Sequence, residues 1–298
     1  MDKKVSVVLP VYNGEKRVGK AIESVLSQTY KNLELVIVND CSTDNTLDVL
    51  HEYASRDSRV LVYENESNQK LPRTLNNGFA HVTGEYLTWT SDDNAYKPKA
   101  IETMVNYLDN YSDTDMVYAD FDIVSLDGTF IETKKVFEPD ELRFCNAVGA
   151  CFLYRRELAE AIGEYDPDLF LAEDYEYWIK AYLYGKLYHI PEVLYEYGWH
   201  DKSLTVTKKM QVYHKTYEAK LKHFDGLLER CKNQEEKNRM YWSMLDLLLD
   251  DTERENVKKS YYGLDARFKT ADIKKVKKEH FEQTLFGRGL KYVDRLLR

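Results

Sequence analysis

The chain has no glycine-rich phosphate loop. Neither G-x-G-x-x-G nor a Walker-type sequence occurs in its 298 residues, which disfavours dinucleotide oxidoreductases and P-loop enzymes. H-E-x-x-H and G-x-S-x-G are absent too, and no Cys/His pair stands in a convincing catalytic setting. The four cysteines, Cys41, Cys145, Cys151 and Cys231, are scattered without C-x-x-C spacing. That excludes a disulfide frame or a cysteine zinc site and suits thiols in a reducing compartment. No stretch approaches the ~18 continuous apolar residues of a membrane span. Met1–Pro10 holds no apolar run of signal-peptide length, so a cytoplasmic location is expected. There is no internal repeat and no low-complexity linker. Basic charge is scarce as well: the net charge of -9 argues against a nucleic-acid binder. The scarcity is uneven. Residues 254–298 carry 13 Lys/Arg against 6 Asp/Glu, so +7, leaving -16 for the first 253.

What is present is a regular alternation. Val5–Leu9 and Leu33–Val38 are continuous apolar, β-branched runs, the pattern of strands covered on both faces. Val60–Tyr63, Leu87–Thr90 and Met116–Phe121 read as further strands. Helical spacing lies between them, at Val18–Leu26, after a cap at Ser42 or Thr43, over Leu71–Val82 and from Pro98 to Leu108. This rhythm predicts an α/β fold with a mostly parallel sheet and helices on both faces. The later chain reads as a hairpin over Ile123–Thr133 with Asp127-Gly128 at its turn, a strand over Asn146–Tyr154, a helix opened by Leu171–Tyr175 and a short strand at Leu187–Ile190. From about Met210 the pattern is helical. The expected division is 1–208 for the α/β domain and 209–298 for a helical C-terminal extension.

In such sheets ligands bind at the carboxyl ends of the strands. Three loops are predicted there: Pro10-Val11-Tyr12-Asn13-Gly14, Asn39–Asp44 and Ser91–Asn94. Adjacent carboxylates such as Asp92 and Asp93 repel unless something balances them. A divalent cation carrying phosphate oxygens does so directly; a turn or helix-start pair is the plain alternative. Asp40, one residue past a strand, fits a cap or Asx-turn, or a carboxylate accepting from a base N–H or a ribose hydroxyl. Asp44 fits a first-turn acid. Glu173-Asp174 falls on a turn-to-helix junction among aromatic residues: an N-terminal helix pair, or a general base in a partly dry site. His200 is the one histidine in a loop of polar and aromatic residues, structural or able to complete a manganese shell.

Val5–Glu15, Ser24–Tyr30, Val38–Asp44, Gly84-Glu85-Tyr86 and Ser91-Asp92-Asp93-Asn94 together resemble the family 2 glycosyltransferases, over about residues 3–205. The resemblance implies the GT-A fold and inverting, non-processive transfer of a single sugar, of the bacterial type. Pro10, Val11, Tyr12 and Asn13 would hold the base and ribose. Asp40 would accept from uracil if the donor is a UDP-sugar, Asp92 would contact ribose or sugar, and Glu173 would lie on the donor side. Asp93 and His200 would hold Mn2+ or Mg2+, and Asp174 would be the catalytic base. Many members carry an acid where Thr90 stands and an Arg-Asn pair where Leu75-Asn76 stands. Lys70 and Arg73 are then the candidates for the phosphate contact, beside Asn76. The Gln-x-x-Arg-Trp motif of processive synthases is absent.

The expected partners are a nucleotide-sugar donor, UDP-linked by preference, and a glycan or lipid-linked acceptor of surface polysaccharide synthesis. Two rival readings are a sugar-nucleotide pyrophosphorylase, which would need a glycine-rich basic N-terminal signature, and a non-catalytic sugar-binding module. In the tail, Phe286, Leu290, Val293 and Leu297 form one stripe with Arg288, Lys291, Arg295 and Arg298 around it. It suits packing on its own domain, a homodimer contact, or peripheral binding to an anionic membrane.

Overall fold

Strand β1 covers Val5–Val11, two residues beyond the run read from the sequence, and all seven residues are buried. The turn begins after Val11 because Pro10 continues the parallel ladder opposite Val38 of β2 (Leu33–Asn39). The computed structural model describes residues 3–201 and 203–249; the Phe286–Leu297 stripe and its basic neighbours lie outside them. The remaining elements in chain order are α1 (Val18–Leu26), α2 (Thr46–Arg56), β3 (Val60–Glu64), α3 (Lys70–Phe79), β4 (Tyr86–Trp89), β5 (Ala95–Tyr96), α4 (Ala100–Asn110), β6 (Met116–Ser125) and β7 (Phe130–Lys134). They continue as β8 (Cys151–Arg155), α5 (Arg156–Ile162), α6 (Glu173–Tyr184), β9 (Leu187–Trp199), α7 (Leu204–Thr207), α8 (Lys209–Lys222), α9 (Phe224–Glu229) and α10 (Gln234–Leu249).

The sheet order is β3-β2-β1-β4-β8-β6-β9-β5, with β7 pairing β6 beside that path. The pairs β3/β2, β2/β1, β1/β4 and β6/β9 are parallel. Strand β8 runs antiparallel to both β4 and β6, so β6 and β9 point the same way as β1, β2 and β4. The carboxyl ends of all five therefore meet one edge. The chain leaves β1 toward β2 and β3 and returns on its other side as β4, which makes the β1/β4 boundary the topological switch point.

Three elements differ from the sequence reading. Strand β9 runs 13 residues, not four. Its pairing with β6 jumps from Ala119↔Ile190 to Asp120↔Val193, so Pro191 and Glu192 are accommodated in an irregularity where proline's missing donor costs no ladder bond. The strand expected from Asn146 begins at Cys151; Gly149 before it sits at φ +71, and a Cβ there would fall 2.6 Å from the Phe121 ring. Helix α5 follows at once, unforeseen. Before Asn146, Pro139–Arg143 forms a turn of 3-10 helix.

The chain divides into two compact units, Met1–Ala219 and Lys220–Arg298. The first is organised on the sheet, with Val7, Leu9, Leu35, Ile37, Ile22 and Met104 fully buried. In the second, Phe224, Leu227, Met240 and Met244 are buried, and the Phe224 and Tyr241 rings stack at 6.0 Å. Among the described residues no helix is long and apolar enough to cross a membrane.

Candidate active site

The loop after β4 is built into the sheet on both sides. Thr90, at the position where an acid is common, is 1% exposed, and its Oγ1 lies 2.5 Å from the Tyr195 hydroxyl. It is wall, not ligand. Gly198 of β9 lies against the Asp93 main chain: a Cβ there would sit 2.1 Å from the Asp93 carbonyl oxygen. The Gly198 N–H donates to Asn94 Oδ1 at 2.9 Å. This close approach delivers the next residues of β9 to the acids, and His200 Nε2 stands 3.2 Å from Asp93 Oδ2. Two side chains 107 positions apart thus present one carboxylate oxygen and one imidazole nitrogen together.

That donor pair fits a divalent cation shared with a ligand. Magnesium and manganese accept hard oxygens and imidazole, and they commonly take one or two protein ligands with the rest of the shell from phosphate and water. No group of three His, Cys, Asp or Glu able to hold an ion occurs among the described residues. The protein therefore offers part of a shell.

Asp92 points the other way. Arg17 Nη2 donates to its Oδ2 at 2.8 Å, and a Cβ on Gly14 would come within 2.5 Å of the same oxygen. Glycine at 14 is what lets the loop after β1 close on Asp92. Burial pushes the Asp92 carboxyl up to about 6; Arg17 opposes this and the neighbouring Asp93 charge adds to it. Sequence reading missed Arg17, which carries no motif.

The loops after β1 and β2 are tied by Asn13. It adopts φ 53, its N–H donates to Ser42 Oγ at 2.9 Å, and its Oδ1 accepts from Thr43 N at 2.8 Å. Pro10 and Val11 are buried in the sheet, whereas Tyr12 stands 48% exposed at the mouth. Asp40 is 4% exposed. Its Oδ1 accepts from Asn65 Nδ2 (2.8 Å) and Gln69 N (2.7 Å), and its Oδ2 from Lys70 N (3.1 Å). It caps α3 and keeps one lone-pair direction open. Asp44 accepts from Thr46 N at 3.1 Å and from the Thr46 hydroxyl; burial raises its pKa, but these bonds hold it below the usual value.

On α3 the candidates separate. The Asn76 amide is engaged with the main chain of Tyr165, donating at 2.8 Å and accepting at 2.9 Å. Lys70, at φ 68, and Arg73 are exposed, and their side-chain nitrogens make no hydrogen bond or ion pair among the described residues. They remain free for an anion; Asn76 does not.

Glu173 and Asp174 open α6. Leu171, at φ 86, donates its N–H to Glu173 Oε2 at 2.6 Å. Asp174 Oδ1 accepts from Tyr175 N at 2.7 Å and Oδ2 from Asn146 Nδ2 at 3.0 Å. Burial pushes Glu173 up to about 8, and the Asp174 charge adds to that. Burial also raises Asp174, while the Tyr175 N–H and Asn146 restrain it. Burial thus disfavours a second negative charge on the pair. Asn146 has no recognisable signal in sequence. Tyr197 of β9 feels the charge of both acidic groups. Its ring lies 5.8 Å from Phe121, and its hydroxyl pKa is raised by burial, then by Asp93 and, less, by Asp174. Both carboxylates are therefore within electrostatic reach of one phenol.

Comparison with known proteins agrees with this architecture. The profile of glycosyl transferase family 2 matches residues 6–163, just over half of the chain. An uncharacterized glycosyltransferase of Rickettsia typhi is 30% identical over 242 residues, covering 78% of this chain and 73% of that protein. Among solved structures, S. aureus TarS 1-349 in complex with UDP-GlcNAc superposes with a TM-score of 0.63 at 18% identity, over 90% of this chain and 77% of that one. The mannosyltransferase PcManGT from Pyrobaculum calidifontis, in complex with GDP-Man and Mn2+, gives 0.59 at 16% identity, over 90% and 82%. At those identities the structures speak for the fold, while the profile and the rickettsial relative speak for descent: the chain belongs to glycosyl transferase family 2 and is a glycosyltransferase with the GT-A fold.

Proposed function

We propose that the protein is a metal-dependent, inverting transferase that moves one sugar from a nucleotide-diphosphate sugar to a hydroxyl of a glycan or lipid-linked acceptor. The observation that carries this reading is the Asp93–His200 pair, 3.2 Å apart, which joins the loop after β4 to the end of β9. A divalent cation held by Asp93 and His200 would neutralise the diphosphate and make it a better leaving group. Tyr12 would cover the base, Asp40 would use its remaining lone pair toward a base N–H, and Lys70 and Arg73 would meet phosphate. Asp92, held by Arg17, would face ribose or sugar.

Asp174 takes the proton from the acceptor hydroxyl. The acceptor oxygen bonds to the anomeric carbon as the bond from that carbon to the diphosphate breaks, and one displacement inverts the centre. A carboxylate with a raised pKa is the better base so long as it is ionised. A UDP-sugar is the favoured donor, supported by the TarS complexes with UDP and UDP-GlcNAc; the GDP-Man complex of PcManGT makes GDP-sugars the comparison. The placement that goes with this reading is cytoplasmic, with membrane contact peripheral.

Thermal shift with UDP-, GDP- and dTDP-sugars, with and without manganese, reports which donor stabilises the native state. Asp174→Asn is expected to keep the donor-induced shift and to lose transfer by ~10³-fold or more. Near wild-type transfer by that variant would overturn the assignment of the base.

A further inference from the structure

Arg17 is the one Lys or Arg side chain that the described hydrogen bonds bring to an acid of the candidate site. It stands at the N-cap of α1, where its side chain caps nothing and where Ser, Thr, Asp or Asn would serve the helix better. Its guanidinium crosses instead to the loop after β4, 75 positions away. Nη2 donates to Asp92 Oδ2 at 2.8 Å and lies 3.4 Å from the Asn13 carbonyl oxygen. The main chain is fixed at the same place, because the Arg17 N–H donates to the Gly14 carbonyl at 2.8 Å. The side-chain Nε is buried and has no hydrogen-bond partner. An unanswered buried N–H weakens a fold, so helix α1 gains nothing from an arginine here; the gain lies at Asp92.

The pair decides which way Asp92 faces. Oδ2 is occupied by Arg17, and Oδ1 makes no hydrogen bond to another side chain among the described residues. A carboxylate with one oxygen tied to a planar guanidinium has its second oxygen fixed as well. Arg17 draws the group toward Asn13 and Gly14 of the loop after β1, and not toward the Asp93–His200 pair. That loop also carries Tyr12, exposed at the mouth. Strands β1 and β4 flank the switch point of the sheet, where a nucleotide lies. With the base on Tyr12 and the diphosphate at Asp93, the part of the donor between them is the pentose. A carboxylate only accepts, so Oδ1 needs a hydroxyl there. Ribose offers two, and deoxyribose one fewer.

We infer that Arg17 is a positioning residue for the donor: it holds Asp92 so that Oδ1 accepts from a ribose hydroxyl, and it thereby makes the enzyme select ribonucleoside over deoxyribonucleoside diphosphates. The inference rests on the nucleotide-sugar reading of the site. Arg17 itself touches no donor atom. It acts by fixing an acceptor whose side chain is only 13% exposed. A deoxynucleotide leaves that acceptor unanswered, and a site built for a hydroxyl rejects the analogue that lacks it. A dTDP-sugar is then a poor donor even though its base offers Asp40 the same N–H as uracil.

The test is calorimetric titration of the full chain with UDP, 2′-deoxy-UDP and 3′-deoxy-UDP in the presence of manganese, or with the matching GDP set if guanine nucleotides are the ones that bind. Wild type is compared with Arg17→Met, which keeps the length and removes the charge, and with Arg17→Lys, which keeps the charge. The Arg17 side chain is 33% exposed, so both variants are expected to fold; circular dichroism checks that. Wild type is expected to bind UDP ~10- to 100-fold more tightly than one of the deoxy forms. Arg17→Met is expected to lose that factor for UDP and little for the deoxy form, so that the ratio falls toward one. Arg17→Lys is expected to recover part of it. A brace that only held the two loops together would weaken all three nucleotides alike, and a ratio unchanged in Arg17→Met would overturn the proposal. So would a loss confined to the UDP-sugar with UDP unchanged, which would put Asp92 on the transferred sugar. Wild-type binding without discrimination sinks this proposal alone; no binding of either nucleotide set sinks the donor reading as well.

Discussion

Replacing Glu173 by glutamine keeps the shape of a protonated glutamate and its acceptor for the Leu171 N–H, while abolishing its titration. In the native chain burial, then the Asp174 charge, hold the Glu173 carboxyl up to about 8, against an ordinary value of 4.5. Between those two values the folded state binds a proton that the unfolded chain has released. Stability therefore falls as pH rises through this window and is greatest below the unfolded pKa. At ~1.4 kcal/mol per unit, the wild-type loss from pH 5 to pH 8 attributable to this group is roughly 3 kcal/mol. At only 5% exposure, solvent screening does little to reduce it. Glu173→Gln is expected to remove that share of the pH dependence. Its Tm should match wild type near pH 5 and exceed it at pH 8 by about 6–12 °C for a unit of this size. Differential scanning calorimetry at the two pH values measures this directly. Equal Tm differences at pH 5 and pH 8 would refute the claim that Glu173 holds a proton in the native state.

Two further substitutions separate the halves of the site. Asn146→Ala removes a bond that lowers the Asp174 pKa; the acid limb of the kcat profile should move to higher pH, with kcat down ~10-fold and donor KM unchanged. An unshifted limb would remove Asn146 from the machinery. Gly198→Ala drives a Cβ against the Asp93 carbonyl and should cost about 1–3 kcal/mol of stability. It should also raise the manganese concentration needed for donor hydrolysis, and an unchanged requirement would mean that β9 does not set the metal pair.

The parallel half of the sheet was legible because β1 and β2 are buried on both faces and read as continuous apolar, β-branched runs. The loops after β1, β2 and β4 could then be placed on one edge by topology alone. Strand β9 was not legible past Ile190, because Pro191 is a local stop signal that only the partner strand's irregular register can accommodate. Its length is what carries His200 to Asp93; the resemblance pairs the two as metal ligands, but no local pattern shows the strand that brings them together. The small residues before β8 looked like strand; their conformation is fixed by Gly149 fitting under Phe121, a contact across 28 positions. Arg17 and Asn146 act through single long-range hydrogen bonds, which leave no periodicity or motif.

The acids of this edge are not equivalent, and the fold itself sorts them. Asp40 is answered by three N–H donors, two of them main chain. Asp44 is answered by Thr46, and Asp92 by the Arg17 guanidinium. Glu173 keeps its proton because burial beside Asp174 makes a second charge too costly. Asp93 meets the edge of His200, and Asp174 one amide and one main-chain N–H. Arg17 offsets Asp92 and a proton offsets Glu173, whereas Asp40, Asp44, Asp93 and Asp174 meet no Lys or Arg side chain among the described hydrogen bonds, which favours positive charge arriving from outside. On the proposed mechanism Asp93 would take charge that arrives with the diphosphate, and Asp174 the proton of an acceptor hydroxyl. The sequence resemblance singles out the same two; the hydrogen bonds add what occupies the other four.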